Sequence, residues 1–434
     1  MLDNPRALAL SSLLRWEGQG SFSNIEINTT ISRSSLEKND ISLYTLLFMG
    51  VIEKKLFLDN VIKQYSNIPL ERIDIETKNV LRLGIYQLVF TDKIPEYSAV
   101  DQSVSLAPKK SKGFVNALLR SFIRNERKIT YPKDKWQRIS IEYSVPMDVC
   151  QIFKDSYGET VAEELCTLPQ PKTEICLRVN TLKSTIDNVI KELSARGIEQ
   201  KISSLSSDIV MCHTQISAIK DLLDSGYVFV QDEASRIASA VVGAKKGEKI
   251  ADVCACPGGK TFSMAMDMQN EGEIYASDLH ENKLSLITRT AKRLGIDIIK
   301  TREQNAKEFL NEYSLAFDRV LCDVPCSGLG VIFKKPDIKY KSLDNIRNLP
   351  SVQYDILNNC SKYVKMGGIL VYSTCTINKA ENEDNIEKFL SEHSEFEPLD
   401  FEIGNIKSVK GGYTFLPHIN GTDGFFVARM KKIK

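Results

Sequence analysis

The chain has no C-x-x-C pair and only 4 histidines in 434 residues, which argues against a zinc ribbon or any other metal centre. Its 10 cysteines are few for this length, so a disulfide framework is not expected and the thiols should be reduced. Strong net charge is also missing. Lys and Arg number 57 against 56 for Asp and Glu, so contacts with an anionic partner would have to come from local patches. No apolar run reaches the length of a membrane span. The opening Met1-Leu2-Asp3-Asn4-Pro5-Arg6 carries an early acid and helix-start residues where a signal peptide would be basic and then apolar. These absences lead us to expect a cytoplasmic protein with no membrane association. What remains is ordinary for a globular chain, with 42% hydrophobic and 26% charged residues and length enough for two or three domains.

Three textures follow one another. Residues 1–130 read as almost entirely helical, with apolar stripes at i, i+3, i+4 spacing in "NPRALALSSLLRW", "DISLYTLLFMGVIEKKLFLDNVIKQY" and "IDIETKNVLRLGIYQLVF". The stretch Ala107 to Lys128 holds seven basic residues and one acid. A helix from Gly113 to Lys128 would turn Phe114, Leu118 and Phe122 inward and gather Arg120, Arg124 and Arg127 outward. Such a face is either solvated surface or a phosphate-contacting one. Residues 131–226 mix helix and strand, and "EICLRVNTLKSTIDNVIKELSARGIE" reads as a small α/β unit. From residue 227 to 434, short apolar runs alternate with helical patterns, beginning with "YVFV", "KIADVC" and "GEIYASD". That alternation predicts a doubly wound, mostly parallel sheet with helices on both faces.

One turn in this last region is built for a ligand. In "KIADVCACPGGKTFSM" an apolar strand runs into a Gly-rich turn and a helix start, a ready site for a polar or anionic group. Gly259-Lys260-Thr261 matches the end of a P-loop, but the first glycine of that pattern is replaced by Cys254, and Pro257 offers no N–H to a phosphate. A nucleoside-containing cofactor is the better reading. Asp278 ends the next strand, where an acid accepts hydrogen bonds from a ribose diol. Cys256-Pro257-Gly258-Gly259 is not the G-x-G-x-x-G of dinucleotide folds, which leaves S-adenosylmethionine.

Two further strand ends carry unusual residues, Asp323-Val324-Pro325-Cys326-Ser327-Gly328 and Ser373-Thr374-Cys375-Thr376. Cys322 and Cys360 lie in apolar runs and read as small buried hydrophobes. Cys326 and Cys375 follow strands, among turn-forming and polar neighbours, on the edge of the sheet that holds the Gly turn. An acid and two thiols there suggest nucleophilic catalysis with proton transfer.

The motifs "DVCACPGGKT", "DVPCSG" and "STCT", with "DGFFVARM" near the end, resemble those of the RsmB/NOP family of RNA cytosine-C5 methyltransferases. Residues 1–130, including "GFVNALLR", are similar to NusB-like RNA-binding domains, a pairing typical of the branch acting on 16S ribosomal RNA. The resemblance implies a multidomain chain: a NusB-like helical bundle (1–130), a small α/β RNA-contacting subdomain (131–226) and a Rossmann-like class I methyltransferase (227–434). It implies an enzyme using S-adenosyl-L-methionine to methylate C5 of a cytosine in 16S ribosomal RNA, acting as a monomer on naked RNA or a partly assembled subunit. Carried over residue by residue, Cys254, Ala255, Cys256, Pro257, Gly258, Gly259 and Lys260 form the cofactor loop, and Asp278 holds the ribose. Asp323 sits between cofactor and base, Cys375 is the nucleophile, and Cys326 aids product release. Asn305 stands where the family usually has an acid near the adenine. Arg178 and Asn180 of "LRVN" resemble part of the accessory RNA-contacting region, and the basic run Phe333 to Lys341 is expected to grip flanking phosphates. Two alternatives stay open: the same chemistry on transfer RNA, or a non-catalytic RNA-binding or antitermination factor.

Overall fold

Where the helical pattern starts, the capping chemistry is present. The Asn4 side chain accepts from the Arg6 N–H at 2.9 Å, Pro5 opens the helix Pro5–Gln19, and Gly20 closes it at φ 66°. The structure, a computed structural model, describes residues 4–20, 22–169 and 174–434. Met1, Leu2 and Asp3 of the expected helix start lie outside them. Two units emerge, one of residues 1–168 with 334–341, the other of residues 169–333 with 342–434.

The first unit is all helix. Its central helix Ile75–Phe90 is buried along most of its length, because its neighbours surround it. It even carries a charge inward: Arg82 is 2% exposed, donates to both carboxylate oxygens of Asp59 at 2.7 and 2.9 Å, and reaches Glu17 at 2.8 Å. A buried guanidinium is tolerable only with such complete pairing. The helices Lys135–Glu142 and Met147–Cys166, which the sequence reading groups with the small α/β region, belong to this unit.

Two expectations fail here. The helix Lys112–Arg124 ends before Arg127, since Glu126 and Arg127 take left-handed backbone angles of 53° and 55°. Arg127 then turns back, donating to the Leu88 carbonyl at 2.7 Å and pairing with Glu96, so only Arg120 and Arg124 remain on the exposed face. The second correction concerns Phe333 to Lys341, expected on the surface as a phosphate grip. Pro336–Tyr340 forms a short 3-10 helix whose Ile338 and Lys339 are buried within the helical unit. Asp337 accepts from the Ser23 hydroxyl at 2.8 Å, Lys339 donates to the Glu53 carbonyl at 3.2 Å, and Tyr340 meets Trp16 edge-on at 5.9 Å. Burial lowers Lys339 to about 8. Apolar Ile338 and Tyr340 outweigh the lysines around them in deciding where the segment goes.

The second unit holds two sheets. In the smaller, β1 (Ile175–Val179), β2 (Gln200–Ile202), β3 (Ile209–Cys212) and β4 (Val228–Val230) lie in the antiparallel order β2-β3-β1-β4. Val228–Val230, read in sequence as the first strand of the large sheet, is therefore an edge of the small one. Arg178 and Asn180 are not at a surface either. Arg178 is 1% exposed and pairs with Asp208 and Asp267, the same two acids that Arg236 binds. Asn180 donates to the Gly226 and Leu294 carbonyls, both at 2.8 Å, stitching the small sheet to a helix of the large one.

The large sheet contains β5 (Lys249–Asp252), β6 (Glu273–Asp278), β7 (Ile299–Glu303), β8 (Phe317–Asp323), β9 (Val364–Thr374), β10 (Phe396–Pro398), β13 (Gly412–Phe415) and β14 (Phe425–Lys432). The intervening β11 (Glu402–Ile403) and β12 (Ile406–Lys407) form a separate ribbon. Its order is β10-β14-β9-β8-β5-β6-β7, with β13 also on β14; β5 to β9 run parallel and β14 is antiparallel. Alternate residues feed opposite cores. Ile250, Leu321, Val371 and Val427 face one helical layer, while Ala251, Val320, Leu370 and Phe426 face the other. The chain reverses direction across the sheet between β5 and β8, so the crevice beyond their carboxyl ends is where a ligand belongs.

Candidate active site

The register of the central strands decides which loops meet. Asp252 pairs with Leu321 and with Ala276, and Asp323 pairs with Ser373, so four strand ends stop at one level. The Gly turn leaves β5, Asp278 ends β6, the Pro-Cys loop leaves β8 and the Thr-Cys loop leaves β9.

The turn from Val253 to Gly258 is shaped by its own backbone. Ala255 N–H donates to the Ser277 carbonyl at 2.8 Å and Gly258 N–H to the Ala255 carbonyl at 2.7 Å. The Cys256–Pro257 peptide is cis. Gly258 has φ 104°, and a Cβ there would lie 2.5 Å from the Phe262 ring, so this position requires glycine. Gly259 then opens the helix Gly259–Asp267, whose second residue is Lys260. Asp278 caps the same turn: its Oδ2 accepts from Cys256 N–H at 3.3 Å and its Oδ1 from His280 N–H at 3.2 Å. Burial, and then the Asp278 charge, push the Cys256 thiol up to about 12, and burial raises Cys254 well above its ordinary value. Both are neutral thiols.

Asp252 reads in the sequence only as a strand residue. It is 1% exposed, the Thr261 hydroxyl donates to its Oδ2 at 2.7 Å, and among the described residues its Oδ1 has no hydrogen-bond partner. Burial raises it to about 7 despite that hydrogen bond. A buried, singly satisfied carboxyl beside a Gly turn suits a polar ligand group.

The reacting groups of the sequence reading converge. Lys260 Nζ donates to Asp323 Oδ2 at 2.7 Å, and the Ser373 hydroxyl donates to Asp323 Oδ1 at 2.7 Å. Burial works against the Lys260 ammonium, but Asp323 and the Cys375 sulfur outweigh it and hold Lys260 above the usual lysine value. Cys326 and Cys375 lie 3.1 Å apart, sulfur to sulfur. Their mutual hydrogen bond, and then burial, push the Cys326 thiol well above its ordinary value. The pair therefore keeps a proton on Cys326. Behind Cys375, Gly330 and Gly424 are in backbone contact; a Cβ on Gly330 would lie 1.9 Å from the Gly424 carbonyl oxygen. That contact brings the start of "GFFVARM" against the Pro-Cys loop.

Asn305 stays apart from this cluster. It follows β7, and its side chain is used locally, donating to Glu308 at 2.8 Å and accepting from Lys307 N–H at 3.2 Å. Cys322 and Cys360 are fully buried among apolar side chains, as small hydrophobes should be. Among the described residues no group of three or more His, Cys, Asp or Glu is placed to hold a metal ion. No helix among them is long and apolar enough to cross a membrane.

Three protein families match this chain: 16S rRNA methyltransferase RsmB/F over residues 239–431, the NusB family over residues 3–124, and an RsmF/B-like ferredoxin-like domain over residues 149–218. A probable ribosomal RNA small subunit methyltransferase B from Bacillus subtilis is 35% identical over 98% of both chains. Another, from Synechocystis, is 33% identical over 98% of this chain and 99% of its own length. The crystal structure of PH0851 superposes with a TM-score of 0.82 at 26% identity, covering 99% of each chain.

Proposed function

Because this chain belongs to the 16S rRNA methyltransferase RsmB/F family, we propose that it methylates C5 of a cytosine in 16S ribosomal RNA through a covalent bond between Cys375 and C6 of the base. The observation that carries this reading is the pair of sulfurs 3.1 Å apart, with the Lys260–Asp323 ion pair beside Cys375.

The methyl donor is S-adenosyl-L-methionine, which when bound supplies an electrophilic methyl on a sulfonium. Its site is the turn from Cys254 to Lys260 with Asp278 and Asn305, and the residues fit such a group. Among the described residues the Oδ1 of Asp252 is an unused acceptor, and Asp278 ends the second strand where a ribose is held.

Cytosine C5 is a poor nucleophile while the ring is aromatic. The Cys375 thiolate adds to C6, forming the S–C6 bond and making C5 enamine-like. Asp323 shares the proton that neutralises N3 of the adduct, and Lys260 and Ser373 fix its carboxylate for that task. Once C5 carries the methyl, its proton is lost to solvent and the S–C6 bond breaks. Cys326, still a thiol, gives its proton to the departing sulfur. An ordinary thiol with a pKa of about 8.5 is only a few per cent ionised at pH 7, so the nearby ammonium matters. The base has to leave its stack to reach this level.

The test is bisulfite sequencing of 16S ribosomal RNA incubated with the protein and the methyl donor. A single new protected cytosine is expected; methyl incorporation without bisulfite protection would overturn the assignment to C5.

A further inference from the structure

Beneath the two sulfurs lies a carboxylate that the reaction as written does not use. Glu381 is fully buried, at 0% exposure, in the 3-10 turn Lys379–Glu381 after the Thr-Cys loop. Its Oε2 accepts from the Ser327 N–H and from Gln353 Nε2, both at 2.8 Å. Its Oε1 accepts from Asn378 Nδ2 at 3.0 Å and from the Thr376 hydroxyl at 3.4 Å. Gln353 also donates to the Pro325 carbonyl at 3.0 Å, and the Ser327 and Thr376 hydroxyls meet at 2.7 Å. Both neighbours of Cys326 and the residue after Cys375 are thus tied, directly or through Gln353, to one carboxylate. A buried carboxylate costs several kcal/mol unless its lone pairs are filled, and here four donors fill them.

We propose that Glu381 is a positioning residue, the common anchor that holds the Pro-Cys and Thr-Cys loops in register so that Cys326 stays within reach of the Cys375 sulfur. It touches neither sulfur. Its negative charge also helps to keep Cys326 protonated, after the Cys375 hydrogen bond and burial. The kinetic consequence rests on the methyltransferase reading above; the geometric one does not.

The test uses the full chain with Glu381→Gln and the milder Thr376→Val. In Glu381→Gln an amide NH2 replaces one acceptor oxygen and faces donors, loosening one loop from the other. Without RNA or methyl donor, the diazene oxidant diamide joins Cys326 and Cys375: two thiols lose two electrons and two protons, and the diazene becomes a hydrazine. Peptide mass spectrometry gives the rate of this cross-link. Hydrogen bonds to a charged acceptor are worth roughly tenfold to a hundredfold, so Glu381→Gln should slow it by about that factor and Thr376→Val by a few-fold. Equal rates in parent and both variants overturn the proposal, and Thr376→Val carries the test if Glu381→Gln fails to fold. In turnover, kcat should fall while KM for S-adenosylmethionine holds. The alkaline fall of kcat should also move to lower pH, because removing a negative charge lowers the Cys326 pKa; a merely structural role would leave that limb in place. If the cross-link slows but no 5-methylcytosine forms with the parent, the anchor stands and the assigned reaction fails.

Discussion

Two of the cysteine pairs that hydrogen-bond among the described residues differ in their surroundings, and only one lies among reactive groups. Cys150 and Cys166 are 3.6 Å apart in the helical unit, each 1% exposed. Cys326 and Cys375 are 3.1 Å apart and both half-buried. In both pairs the shared hydrogen bond shifts a thiol: it lowers Cys150 and raises Cys166, and it raises Cys326. Sharing a proton between sulfurs is thus not what makes a nucleophile. The difference lies in the surroundings. The first pair is sealed inside a helix bundle, whereas the second stands at strand ends with a partly buried ion pair beside one sulfur.

The largest expected effect comes from exchanging the pairs as targets. Cys375→Ala should lose methyl transfer by on the order of a thousandfold or more, because the ring is never activated. Cys150→Ala should keep kcat within about twofold and show only a stability loss of roughly 1–2 kcal/mol in denaturant titration. Cys326→Ala should accumulate a protein–RNA adduct that migrates slowly on a denaturing gel, and the Cys326→Ala, Cys375→Ala double variant should not. An adduct in Cys375→Ala alone would hand the nucleophile's role to Cys326.

A smaller effect isolates the cation. Lys260→Met should reduce kcat by roughly a hundredfold and shift the rising, acid-side limb of the pH profile to higher pH. The sign follows from the charge: an ammonium favours the thiolate, so its loss raises the pH at which the thiolate forms. A reduced kcat with the limb unmoved would give Lys260 to Asp323 alone.

The smallest effect separates the cofactor from the thiols. Asp278→Ala should weaken S-adenosylmethionine binding by about tenfold to a hundredfold in calorimetric titration. Alkylation of Cys375 by iodoacetamide, measured without cofactor, should keep its rate. A change in both would mean that Asp278 supports the shape of the whole site.

Strand ends and their chemistry were legible in the sequence because short-range pattern encodes them. The alternation of apolar runs and helices, the Gly turn and the two cysteine motifs lie where period and turn chemistry put them. Partnership was not legible. Val228–Val230 reads as a strand, but nothing in its three residues says which sheet it joins. Arg178 and Asn180 look like surface polar residues until Asp208, Asp267 and two backbone carbonyls, distant in sequence, close around them. Arg127 leaves the expected face because the helix stops at Arg124, ahead of a left-handed pair of residues that lacks glycine. Asp252 and Glu381 were hidden for a similar reason. One sits inside an apolar strand and the other in the polar run "NKAENEDN", and only three-dimensional burial distinguishes either from its neighbours.

The segment that follows the Pro-Cys loop has a consequence for the order of synthesis. Ile338, Lys339 and Tyr340 complete the helical unit, yet they are made long after Leu168, the last residue of that unit's first stretch. At about 5–20 residues per second, a ribosome needs roughly 10–35 seconds to travel from one to the other. Through that interval the emerging helices lack the tyrosine that meets Trp16 and the aspartate that caps Ser23. The amino-terminal unit is the first to be born, yet its last piece arrives only after the chain has passed through β8 and Cys326.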